Sequence, residues 1–130
     1  MNPEEMKRRT TEYALRVLRL VRSLPKEKGC NHIGQQLLRC GTSVAANYRA
    51  ACRARSRAEF VAKMGIVEEE ADESLFWVEL LALDGIVKEA MLKDLMREGH
   101  EIVAIAVASK RTARAAATNR QSSIVNRQSV

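Results

Sequence analysis

The chain has 130 residues, 46% of them hydrophobic and 29% charged, which is the size and composition of one water-soluble domain and argues against a disordered or membrane polypeptide. Two prolines and five aromatic residues stand among abundant Ala, Leu, Glu, Arg and Lys, a mix that favours helices over sheets. The net charge of +6 is unevenly spread, with +9 in residues 1–57, −8 in 58–103 and +5 in 104–130; such blocks either neutralise one another between helices or leave a basic face that attracts phosphates.

The first element runs from about Glu4 to Leu24. Tyr13, Val17, Leu20 and Leu24 recur at helical spacing, with Leu15 and Leu18 widening the stripe. The remaining faces carry Lys7, Arg8, Arg9, Arg16, Arg19 and Arg22, and Pro25 ends the helix because proline disfavours helical geometry in the residue before it. A second helix from about Asn31 carries Ile33, Leu37, Val44 and Tyr48. Its middle turns hold Cys40, Gly41, Thr42, Ser43, Ala45 and Ala46, small enough to let a partner helix come close. Ser56 and Glu59 have the spacing of a capping box, which starts a third helix at Arg57.

The third helix is the most periodic: Phe60, Met64, Val67, Ala71, Leu75, Val78 and Ala82 form one stripe, and Ile66, Trp77, Leu80 and Leu81 broaden it. Asp84-Gly85 breaks the run. A fourth helix from about Lys88 carries Met91, Leu92, Leu95, Met96, Ile102, Val103, Ile105 and Ala106. The expectation is an all-α, antiparallel up-down-up-down four-helix bundle over residues 1–112, followed by a basic, disordered tail over 113–130. The apolar arc of helix three, with Phe76 and Trp77 adjacent, is wider than one core can cover and points to self-association.

Several constellations have a chemical and a purely structural reading. Arg39, Ser43 and Asn47 lie on one face of helix two, and antiparallel packing about a turn near residue 54 places them near Glu70, Ile66 and Lys63 respectively. With Glu73 these residues form either a polar site or a buried network that fixes helix register; the second reading is preferred, and it makes Arg39→Ala strongly destabilising through a stranded Glu70. The acidic run Glu68, Glu69, Glu70, Asp72, Glu73 lacks the Glu-x-x-His pairs of helical carboxylate-metal sites, so no metal and no cofactor is expected.

Cys30, Cys40 and Cys52 are odd in number and widely spaced, which argues for reduced thiols. Cys40 and Cys52 read as small buried side chains, and Cys30 with His32 lacks any oxyanion site. No catalytic residue and no small-molecule substrate are expected. The N-terminal MNPEEMKRRT leads into a charged amphipathic segment and no apolar run approaches the roughly 18–20 residues that span a bilayer, so the expected location is cytoplasmic with no membrane partner.

The remaining signal is basic. Helix one, the run over 49–57 and the C-terminal segment together exceed what solubility needs, and the arginine fork suits phosphate. Lys7, Arg8, Arg9, Arg16 and Arg19, on the side away from Tyr13, Val17 and Leu20, are the candidate contacts to RNA or DNA.

Helices two and three also carry a resemblance. Gln36-Leu37-Leu38-Arg39, Ser43 to Tyr48, Ala54-Arg55-Ser56 followed by Glu59-Phe60, Lys63, and the segment Glu69 to Ser74 with Trp77 resemble the four helix bundle protein family, also called the 23S rRNA-intervening sequence protein family. That family is related to the accessory variability determinant of diversity-generating retroelements, and the resemblance spans about Arg8 to Ala108. It implies a four-helix protomer in a ring-like homopentamer, a basic surface, a role linked to nucleic acid and no catalytic activity. Two readings follow: a basic oligomeric scaffold that binds structured RNA or an RNA–protein complex, and a protein-binding scaffold whose charges serve solubility and assembly.

Overall fold

A computed structural model describes the backbone of residues 2–128 and the side chains of residues 2–118. The chain is all-α: α1 (Pro3–Ser23), α2 (Lys28–Cys52), α3 (Arg57–Leu83) and α4 (Glu89–Gln128) account for the secondary structure, with no strand among the described residues.

Each helix start has a local cause. Asn2 accepts from Glu5 N at 2.8 Å ahead of Pro3 in the first turn of α1, a pairing of cap and proline that leaves fewer amide donors unmet. Glu27, not a serine or threonine, caps α2 by accepting from Cys30 N, which moves the start to Lys28, ahead of Asn31. Ser56 caps α3 as its spacing predicts, accepting from Glu59 N at 3.1 Å, while the Glu59 carboxylate turns back onto Arg55 N at 2.9 Å. Gly85 adopts a φ of 76° in the α3–α4 turn, a conformation that side chains resist.

One hydrophobic cluster joins all four helices: Met6, Tyr13 and Val17 from α1, Leu37 and Val44 from α2, Met64, Val67 and Val78 from α3, and Leu92, Ile102 and Ala106 from α4 are each 3% exposed or less. Consecutive helices share the main contacts, and α1 meets α4 more sparingly. Gly41 is what allows α1 against α2, because a Cβ there would lie 2.7 Å from Val17 Cγ1. At the centre, Tyr13 and Ser74 share a 2.6 Å hydrogen bond, and Ser74 Oγ also donates to Ala71 O at 2.6 Å. The serine proton being spent on that carbonyl, Tyr13 is the donor to Ser74. Burial pushes the Tyr13 phenol up to about 12.

Three further expectations differ. Leu15 does not widen the buried stripe; it is 42% exposed, and Met6 and Thr10 extend the stripe toward the N-terminus instead. Cys52 is exposed while Cys30 and Cys40 are buried, since Cys52 is the last residue of α2. Residues 113–128, expected as a disordered tail, continue α4 as helix. Ala113, Ala115, Ala116 and Ala117 are strong helix formers and no glycine or proline interrupts them. Residues 129–130 lie outside the described part. At 1.5 Å per residue the 40 residues of α4 span about 60 Å, roughly twice α1.

Candidate nucleic-acid interface

The cations of α1 divide by what they meet. Lys7 pairs with Glu4 at 3.3 Å and Arg8 with Glu12 at 3.9 Å on the same helix face, contacts that water and salt weaken readily. Arg9 is different. Its Nε donates to Glu98 Oε1 at 2.7 Å, its Nη2 to Glu98 Oε2 at 3.0 Å and to Glu101 Oε2, and its side chain is only 18% exposed. This fork braces α1 against α4 and takes Arg9 off the list of phosphate contacts. The hydrogen bonds to Glu98 raise the guanidinium further above its ordinary range, partly offset by burial. Arg16 and Arg19 make no ion pair among the described residues; Arg19 is exposed and Arg16 half-buried.

A denser group gathers where α1 begins and α2 gives way to α3. Arg49 lies in the last turn of α2, Arg53 caps its C-terminus four residues on, Arg55 lies in the turn, and Arg57 opens α3; all four are exposed and none makes an ion pair among the described residues. Lys7, Arg49 and Arg53 line a cleft of about 180 Å³. Lys7 also lines a neighbouring cleft of about 670 Å³, shared with Tyr48, Arg55, Arg57 and Phe60. Burial pushes the Tyr48 phenol well above its ordinary value, so its hydroxyl keeps its proton. The nearby Glu59 carboxylate is committed to the backbone of Arg55. The sequence carried this group only as a run of like charge over 49–57; nothing local tied it to Lys7, more than 40 residues away.

The polar line of α2 separates into two parts. Arg39 Nη1 meets Glu70 Oε2 at 3.1 Å, its Nη2 meets Glu73, and its Nε meets Gln36 at 3.4 Å. Trp77 Nε1 also donates to Glu73, at 3.1 Å, and its ring is edge-on to His32 at 5.7 Å and to Phe76 at 4.9 Å. The expected pairing of Arg39 with Glu70 is present, but its cation is not buried: the Arg39 side chain is 50% exposed, against 16% for Glu70 and 36% for Glu73. Arg39 lies at the rim of the helix pair, one residue before the buried Cys40. Asn47 donates to Ser43 O at 3.0 Å and Ser43 Oγ at 2.8 Å on its own helix, with no hydrogen bond to Lys63 among the described residues. Lys63 is half-buried and makes no ion pair among the described residues. Cys30 lies in the first turn of α2, and its hydrogen bond to Glu27 pushes the thiol up to about 11, away from the reactive thiolate.

On α3 and α4 apolar groups face outward. Phe76 is 50%, Leu83 77% and Met91 74% exposed. No helix among the described residues is long and apolar enough to cross a membrane.

Comparison with known proteins gives this geometry a context. A family model described as "23S rRNA-intervening sequence protein" matches residues 4–108. A crystal structure of a protein with unknown function from the S23 ribosomal protein family of Bacteroides thetaiotaomicron VPI-5482 superposes with a TM-score of 0.79 at 31% identity, covering 85% of this chain and 99% of that one. No curated protein matches the chain.

Proposed function

The chain belongs to the 23S rRNA-intervening sequence protein family, and from that premise we propose that it is a non-catalytic, basic, oligomeric protein that binds structured RNA or an RNA–protein complex through phosphate contacts. The observation that carries this reading is the segregation of charge. Arg16 and Arg19 on α1 and Arg49, Arg53, Arg55 and Arg57 around the α2–α3 turn project without carboxylate partners among the described residues. Part of the acidic charge in the middle of the chain meanwhile serves helix–helix pairs, Glu98 and Glu101 with Arg9, Glu70 and Glu73 with Arg39, and Glu68 with Lys110. The +9 of the first 57 residues is thus only partly neutralised by the −8 that follows. Lys7 and Arg8 contribute once their weak local pairs exchange for phosphate.

The protomer in this proposal is an antiparallel up-down-up-down bundle. The pairing of Arg39 with Glu70 and, seven residues earlier on α2 and seven later on α3, of His32 with Trp77 supports that order. The exposed Phe76, Leu83 and Met91 supply apolar area for self-association, and the family resemblance supplies the number five. The site of action in this reading is the cytoplasm, with no small-molecule substrate. Titration of the protein into a fluorescent structured RNA across a salt series tests the reading. Affinity falling linearly on a log–log plot supports it; absence of binding at low salt overturns it in favour of a protein-binding scaffold, which the same exposed apolar side chains would serve.

A further inference from the structure

We infer that the two adjoining clefts at the α2–α3 end form a seat for one unpaired nucleotide of a single strand, with the phosphate between Lys7, Arg49 and Arg53 and the base in the larger cleft beside Arg55, Arg57 and Phe60. The inference rests on the RNA-binding reading and narrows it from a basic surface to a place and a ligand form.

The smaller cleft is walled by three cationic side chains and has a volume of about 180 Å³, the liquid volume of about six waters, which suits one solvated phosphate group. Cations at a helix C-terminus complement the helix dipole, and that accounts for Arg49 and Arg53 by stability alone. It does not account for Arg57, which is the first residue of α3 and so stands at the positive end of that dipole. Nor does it account for Lys7, which comes from a different helix to the same cleft. An anionic ligand in the smaller cleft accounts for Lys7 there; Arg57 lines the larger cleft and not the smaller, where a guanidinium plane suits a stacked base.

The larger cleft, about 670 Å³, is lined by Phe60, Tyr48 and the arginines Arg55 and Arg57. Unpaired bases stack on aromatic rings and guanidinium planes, whereas a paired base offers only its edge. Lys7 lines both clefts, so a phosphate and the base attached to it can occupy them together. The cleft therefore selects a loop, bulge or free single strand over a continuous duplex.

The test uses the full chain and a fluorescent 12-nucleotide single-stranded RNA, the same strand annealed to its complement, and an unlabelled polyglutamate competitor. The expected result is at least tenfold tighter binding of the single strand than of the duplex. Arg49→Gln with Arg53→Gln is expected to weaken single-strand binding at least tenfold and to lower the log–log salt slope by about 1.4, two contacts at about 0.7 each. Phe60→Leu is expected to keep the salt slope and lose most of the preference for the single strand, with circular dichroism and melting checking its fold. Equal affinity for single strand and duplex overturns the seat while leaving the RNA-binding reading intact, as does an Arg49→Gln/Arg53→Gln variant that binds like the parent. Displacement of RNA by polyglutamate at equal charge concentration overturns the seat and assigns the cleft to an acidic protein surface. Failure of the parent to bind either RNA overturns both.

Discussion

Replacing Arg9 with methionine keeps an aliphatic stem of similar length and removes the guanidinium that joins α1 to α4. The side chains of Arg9 and Glu98 are 18% and 22% exposed, whereas Glu101 is 53% exposed. The Glu98 pair therefore falls between solvent-exposed ion pairs, at about 0–1 kcal/mol, and the loss of one partner from a buried pair, at about 3–5 kcal/mol. Hydrogen bonds to charged groups contribute about 1.5–3 kcal/mol, so the expected loss is about 2 kcal/mol, with Glu101 adding little. For a chain of this size a urea slope of about 2 kcal/mol/M turns that into a midpoint lower by about 1 M. Equilibrium unfolding in urea reads it, and a double-mutant cycle with Glu98→Gln isolates the pair: most of the loss is expected to vanish when Glu98 is already glutamine. A variant within about 0.5 kcal/mol of the parent, with RNA binding weakened as far as in Arg16→Gln/Arg19→Gln, would refute the brace and return Arg9 to the binding surface.

Tyr13→Phe leaves the Ser74 oxygen without the donor it accepts from, and is expected to cost about 1–2 kcal/mol by thermal unfolding. Because the folded-state phenol of Tyr13 is raised to about 12 from an ordinary 10.0, its share of stability is complete below pH 10 and is lost as pH rises toward 12. Stability measured from pH 9 to 12 should fall less steeply in Tyr13→Phe than in the parent. Gly41→Ala drives a methyl to 2.7 Å from Val17 Cγ1, and the overpacking, less the better helix propensity of alanine, is expected to destabilise by about 1–2 kcal/mol; adding Val17→Ala should cost less than its effect in the parent, since it clears the clash. Arg39→Ala is expected to lower the melting temperature less than Arg9→Met, because Arg39 is 50% exposed although Glu70 is 16% exposed; a drop as large as that of Arg9→Met would mean that the loss of Arg39 strands Glu70 as a buried charge.

What the sequence made legible was local or periodic. Ser56 caps α3 because the cap is settled within four residues, and the stripe from Met64 to Val78 is buried because a 3.6-residue period leaves little choice of face. Turn position and antiparallel counting were enough to bring Arg39 to Glu70. They did not reveal exposure, which depends on how far a residue sits from the centre of the helix pair. Arg9 was misread for a related reason: it flanks the buried line of Met6, Thr10 and Tyr13, and whether a flanking arginine meets water or a carboxylate depends on Glu98, 89 positions away. The continuation of α4 was readable in its alanines but hidden by the loss of large apolar residues, which reports the end of the core and not the end of the helix.

The claim that the uncompensated arginines form the RNA-binding face is tested most directly by comparing salt slopes of the parent, Arg16→Gln/Arg19→Gln and Arg49→Gln/Arg53→Gln on one single-stranded RNA, each shown by light scattering to keep the parent's assembly state. Each pair is predicted to lower the slope by about 1.4, with the larger loss of affinity at Arg49 and Arg53, where the cations converge on a cleft. Parent-like slopes in both variants would contradict the account.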